Sequence, residues 1–162
     1  MRAPASPVTS GRGGPNINPA TGLSTDYLNH FTEAIMLLEL VPAMPECLAD
    51  FLAWEPKDYR GHFAASHFSN RDTVIAAYEA ADPELSRSLD MLSDLMNTLL
   101  LATREAIAAN PATPKSDALA HKTAAVLKPI VTRISALING TAPGLSNRAS
   151  VPQAAIDAMF RR

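Results

Sequence analysis

The sequence predicts an all-α fold: a helical bundle of three long helices and two or three short ones behind a flexible N-terminal arm. Two observations lead there. The chain holds 28 alanines and 18 leucines against 6 valines and 8 isoleucines, a helix-forming palette that leaves little to build strands. Its 13 prolines, against 7 glycines, fall mostly between segments whose apolar residues recur at helical spacing. With 162 residues there is room for one domain with a real core and little room for two.

Residues 1–22 contain Pro4, Pro7, Pro15 and Pro19 with four glycines and few apolar side chains. Such a stretch buries too little surface to offset the entropy of ordering, so it reads as a flexible arm. Ile17 and Leu23 are the residues through which it could instead dock on the bundle. A first helix is expected over Thr25–Val41, with Ser24, Thr25 or Asp26 as its cap and Pro42 as its stop. Leu28, Phe31, Ile35 and Leu38 form its inner stripe, and Met36, Leu37 and Leu40 lie off it. That surplus of apolar surface predicts a contact with another chain through Met36, Leu37 and Leu40.

Pro45 opens a short second helix reaching Trp54, with Leu48, Phe51 and Leu52 inward. The stretch 57–68, KDYRGHFAASHF, is the most aromatic and histidine-rich part of the chain and should hold a turn of helix. Ser69 or Asn70 then caps a helix over Arg71–Ala81 that turns Val74, Ile75 and Tyr78 inward.

Asp82-Pro83-Glu84 supplies a cap, a proline at the first helical position and an acid in the first turn. From there Leu85, Leu89, Leu92, Met96, Leu99, Thr103 and Ala106 trace a heptad-like seam. The helix should end near Asn110-Pro111, about 40 Å from its start at 1.5 Å per residue. The last long helix begins at Thr113-Pro114 or Ser116-Asp117 and stops at Asn139-Gly140. Leu119, Val126, Ile130, Ile134 and Leu137 are its expected inner face, with Pro129 inside it.

The domain plan is therefore an arm (1–22), a bundle (23–140), and a linker with a short basic amphipathic helix (141–162). That last helix would carry Ile156, Met159, Phe160, Arg161 and Arg162, a second set of interaction residues.

Charge confines function more by distribution than by sum. The net charge of −2 argues against a dedicated nucleic-acid binder. Residues 26–58 carry −6 and residues 113–162 carry +5, so an acidic front can pack against a basic end. The longest apolar runs fall far short of a membrane span, and the N-terminus lacks the apolar core of a secretory signal. A cytoplasmic protein is expected, with no membrane association. The lone Cys47 excludes an internal disulfide and reads as a small hydrophobe.

Chemistry-bearing residues are few. No phosphate-cradling glycine loop, nucleophile elbow, zinc-protease helix or dinucleotide fingerprint occurs, which disfavours an enzyme and implies no cofactor. Four histidines remain. His121, beside Lys122 on a polar helix face, and His30, at the edge of the first helix's apolar stripe, are the phosphoacceptor candidates. An exposed histidine with a nearby lysine on a helical bundle is the arrangement of histidine phosphotransfer domains. His62 and His67 are the metal candidates, although five residues on a continuous helix would set them about 140° apart. Asp90 and Asp94 form an acidic strip opposite the leucine seam and read as solvation.

The segment from Asn16 to Glu39 (NINPATGLSTDYLNHFTEAIMLLE) and the run AAYEAADP at 76–83 resemble a set of short alphaproteobacterial proteins without an assigned activity. The resemblance covers roughly residues 16–110 and implies a bacterial cytoplasmic setting; it places no residue in a catalytic role. The expected function is a non-enzymatic interaction or regulatory module that meets a protein partner or a second copy of itself. A phosphotransfer bundle and a metal-binding protein using His62 and His67 are the alternatives, and the sequence leaves any small-molecule ligand open.

Overall fold

The computed structural model describes residues 16–67 and 69–142. Its helices are α1 (Leu28–Leu40), α2 (Leu48–Ala53), α3 (Tyr59–Ala64), α4 (Arg71–Ala80), α5 (Pro83–Ala109) and α6 (Pro114–Ile138). Single 3-10 turns, Thr25–Tyr27 and Pro45–Cys47, lead into α1 and α2. Among the described residues the only β-type pairing is an isolated bridge between Ile17 and Ser24. The chain is an all-α bundle, as its composition predicts.

α6 packs against both α5 and α1. The segment from Pro42 to Ala81, holding α2, α3 and α4, lies over α1 and α5. Its tethers are Trp54 Nε1–H to His30 O, Asn97 Nδ2–H to Lys57 O, and Tyr78 O–H to Asp90.

Cap chemistry sets the helix limits. Asp82 accepts from the Glu84 amide at the start of α5, and Thr113 Oγ1 accepts from the Ser116 amide at the start of α6. At the far end of α6, Gly140 takes φ +76° and its N–H reaches Leu137 O while the Thr141 N–H reaches Ala136 O. This left-handed stop satisfies two of the last helical carbonyls, and only glycine adopts it without strain.

Residues before 23 already join the packed fold. Asn18 N–H donates to Leu23 O at 2.8 Å, and Asn18 O receives the Gly22 amide at 2.7 Å. The Thr21 hydroxyl donates to Ile138 O at 2.6 Å, and Leu23 is fully buried. Residues 16–22, assigned to the flexible arm from composition, are thus a turn clamped to the end of α6. Two polar hydrogen-bonding side chains and two apolar anchors suffice to hold it, although its overall apolar content is low.

Two helix faces are rotated from expectation. The buried stripe of α5 is Leu85, Leu89, Leu92, Met96, Leu100, Thr103 and Ile107, so Leu100 and Ile107 replace Leu99 and Ala106. These spacings repeat over 11 residues, which a straight helix follows without supercoiling, whereas a heptad requires the supercoil. On α6 the predicted Val126 is 44% exposed, and the buried face includes Ser116, Ala120, Thr123 and Ala124. Small residues let α5 and α6 approach closely, and the Thr103 and Thr123 hydroxyls meet between them at 2.9 Å. Pro129 sits on the exposed side of α6, where the carbonyl it leaves unpaired can meet water.

Candidate functional site

One cleft brings two of the four histidines, His30 and His62, together. It has a volume of about 380 Å³, and its walls include His30 and Glu33 from α1, Trp54, Glu55 and Lys57 from the loop after α2, and His62 from α3.

The cleft is organised by one captured peptide. The Lys57 N–H donates to His30 Nε2 at 3.0 Å. Lys57 O receives the Tyr27 hydroxyl at 2.7 Å and the Asn97 amide at 3.2 Å. A neutral imidazole accepting at Nε2 carries its proton on Nδ1. Trp54 stacks on that imidazole, ring centroids 4.5 Å apart, and its indole N–H donates to the backbone oxygen of the same His30. Arg104 of α5 donates to Trp54 O and lies 3.9 Å from the Glu55 carboxylate. The loop is therefore fastened to α1 and α5 at Trp54 and again at Lys57.

Burial sets the ionisation. His30 is held at about 4, first by loss of solvent and then by His62 and the Lys57 ammonium; Asn97 works the other way. His62, whose ring centroid is 5.8 Å from that of His30, is also pulled below its ordinary value, by burial and then by Lys57. The backbone and carboxylate of Asp26 oppose that shift. Asn97 Oδ1 is the one buried side-chain oxygen among the described residues without a hydrogen bond.

Behind the cleft runs a row of tyrosines. Tyr27 meets Tyr59 edge-on at 5.3 Å, and Tyr59 stacks on Tyr78 at 4.7 Å. Burial raises all three hydroxyls, that of Tyr59 to about 12. Tyr78 donates to the Asp90 carboxylate at 2.6 Å, and Arg60 lies over the Tyr78 ring at 5.5 Å. Asp90 is half-buried and raised, by burial first, so it is a structural acceptor and not the solvating strip expected from its spacing to Asp94.

The four histidines separate. His30 is 6% exposed, and its Nε2 lone pair is committed to Lys57, which removes it as a phosphoacceptor through that atom. Its place on the edge of the apolar stripe becomes an inward one because α2 and Trp54 cover that side of α1. His62 is half-buried beside His30, and His67 is exposed beyond the end of α3. Among the described residues no group of three histidine, cysteine or acidic side chains converges as a metal site. His121 and Lys122 are both exposed on α6.

Of the interaction candidates, Met36 is 51% exposed and Leu40 half-exposed, while Leu37 is 8% exposed and belongs to the core. Leu37 turns inward because α6 as well as α2 packs on α1, which widens the buried arc beyond one stripe. Met44, 42% exposed, continues the spacing Met36–Leu40–Met44 past the helix end. Cys47 is half-buried. Ile156, Met159, Phe160, Arg161 and Arg162 lie outside the described residues.

Trp54, Lys57, Tyr27 and Asn97 were not among the site candidates. The aromatic and histidine density of 57–68 marked the neighbourhood, but nothing in the spacing joins those residues to His30. No helix among the described residues is long and apolar enough to cross a membrane. No family model, curated protein or solved structure matches the chain.

Proposed function

We propose that the chain is a cytoplasmic, non-enzymatic helical interaction module that meets a protein partner, in the first instance a second copy of itself, through the outer face of α1. The observation that carries this reading is the exposure of Met36, 51%, on α1 and of Met44, 42%, just past its end, with the half-exposed Leu40 between them in sequence. Methionine's flexible thioether adapts to partner surfaces of varied shape. Sedimentation of the full chain should show reversible association at tens of micromolar, abolished in Met36→Asp/Met44→Asp. A strict monomer at that concentration would remove self-association.

The exposure of His121 beside Lys122 supports a second reading, a phosphotransfer bundle. Acid-labile label on incubation with a phosphorylated receiver domain, lost in His121→Ala, is its expected result; no label would end it.

A further inference from the structure

The cleft between α1 and α3 has a charge pattern that the interaction reading does not use. Three groups able to carry positive charge, the Lys57 ammonium and the His30 and His62 imidazoles, converge on one space of about 380 Å³. Among the described residues no carboxylate forms an ion pair with any of them. Of the two acids in its walls, Glu55 lies beside Arg104, and Glu33 is exposed. Trp54, Ala53 and Ala65 give the same space an apolar side.

We propose that this cleft binds a small organic anion, a carboxylate or a phosphate-type oxyanion on a compact carbon skeleton, between the Lys57 ammonium and the His62 imidazolium. His62 takes up one proton from solvent as the anion enters. His30 stays neutral, because its Nε2 remains the acceptor for the Lys57 N–H. His62 is the responsive ring because it is half-exposed, whereas His30 is enclosed by Trp54, Phe31 and Tyr27.

The charges around His62 and His30 allow this. Asp26 from the 3-10 turn favours the charged His62, Glu33 of α1 competes with the anion, and Lys57 repels the imidazolium until an anion lies between them. Tyr27 faces both rings and stays un-ionised, Asn97 of α5 faces His30, and Arg104 neutralises Glu55. The mutual repulsion of ammonium and imidazolium, unfavourable in the empty cleft, becomes shared attraction when the anion is bound.

The test is a histidine-ring NMR titration of the full chain with sulfate and with acetate, whose charges are constant between about pH 5.5 and about pH 8. Either anion should raise the His62 titration midpoint and bind more tightly as pH falls. Sulfate and acetate also distinguish a phosphate-type from a carboxylate ligand by which binds more tightly. Lys57→Met should weaken binding about five-fold, a partly exposed ion pair's worth, and raise the His62 midpoint in the anion-free protein. The peptide clasp uses only the Lys57 backbone, so this variant keeps the fold. Glu33→Gln should strengthen binding. The proposal is overturned if both anions move His62 no more than exposed His67 and His121, or if Lys57→Met binds as the parent does.

Discussion

The His30 imidazole accepts the Lys57 backbone N–H at 3.0 Å, joining α1 to a loop 27 residues further along the chain. It does so from inside the core, with Trp54 stacked on it. His30→Ala should therefore destabilise by about 3 kcal/mol, the sum of a cavity beside the indole and a buried amide left without an acceptor. His30→Gln, whose carboxamide oxygen can still accept, should recover part of the loss. Urea unfolding followed by the fluorescence of Trp54, the single tryptophan, measures both. Equal destabilisation by Ala and Gln would show that the ring's packing, and not the hydrogen bond, is what matters.

Burial of the same ring gives stability a defined pH dependence. His30 titrates at about 4 in the fold, against 6.5 when unfolded. Between those values the unfolded state binds the extra proton, so stability falls as pH drops through that window. Above about 6.5 the ring is neutral in both states and contributes no slope. Below about 4 the loss from this group is complete, at roughly 3 kcal/mol. His62, shifted in the same direction, adds to the slope. Chemical denaturation at a series of pH values should show the fall in the parent chain and a flatter profile in His30→Gln.

Legibility in the sequence followed the range of the interaction. The starts of α5 and α6 were readable at Asp82-Pro83 and Thr113-Pro114, and the end of α6 at Gly140, because caps act within a few residues. The faces were less readable. Val126 looks like a core residue on a wheel that counts only apolar side chains, but α6 turns Thr123 and Ala124 to α5, since small residues bring the backbones closest. The turn at 16–22 was missed for a related reason: Thr21 finds its acceptor at Ile138, far outside any local window. The cleft was least readable. Its parts come from residues 27, 30, 54, 57, 62 and 97, joined by hydrogen bonds and ring contacts that follow no periodicity.

The hydroxyl pair between α5 and α6 should behave as a unit. Thr103 and Thr123 are both buried, and their oxygens lie 2.9 Å apart. Thr103→Val or Thr123→Val alone strands one hydroxyl against an apolar neighbour, at a cost of about 1–2 kcal/mol each. Replacing both leaves a Val–Val contact of similar shape, so the double variant should be closer to the parent than the sum of the singles. Four denaturation curves decide it. Strict additivity would mean that each hydroxyl is satisfied by its own helix and that the pair is a contact without coupling.

Pro129 is the place where a substitution should stabilise the fold. It lies inside α6, where it removes the N–H that would bond to the Ala125 carbonyl one turn earlier. Both residues are exposed, so the ring contributes little to the core. A mid-helix proline costs about 3 kcal/mol relative to alanine in a model helix. Part of that is offset because proline also restricts the unfolded chain, and because the carbonyl of the exposed Ala125 can meet water. Pro129→Ala should therefore raise stability by about 1 kcal/mol, which for a domain of this size is a rise in Tm of a few degrees. The two halves of α6 should also become more uniform in amide exchange, because the restored bond closes the gap in the ladder. A fall in Tm would mean that the helix geometry Pro129 sets is itself required for α6 to touch α5 and α1.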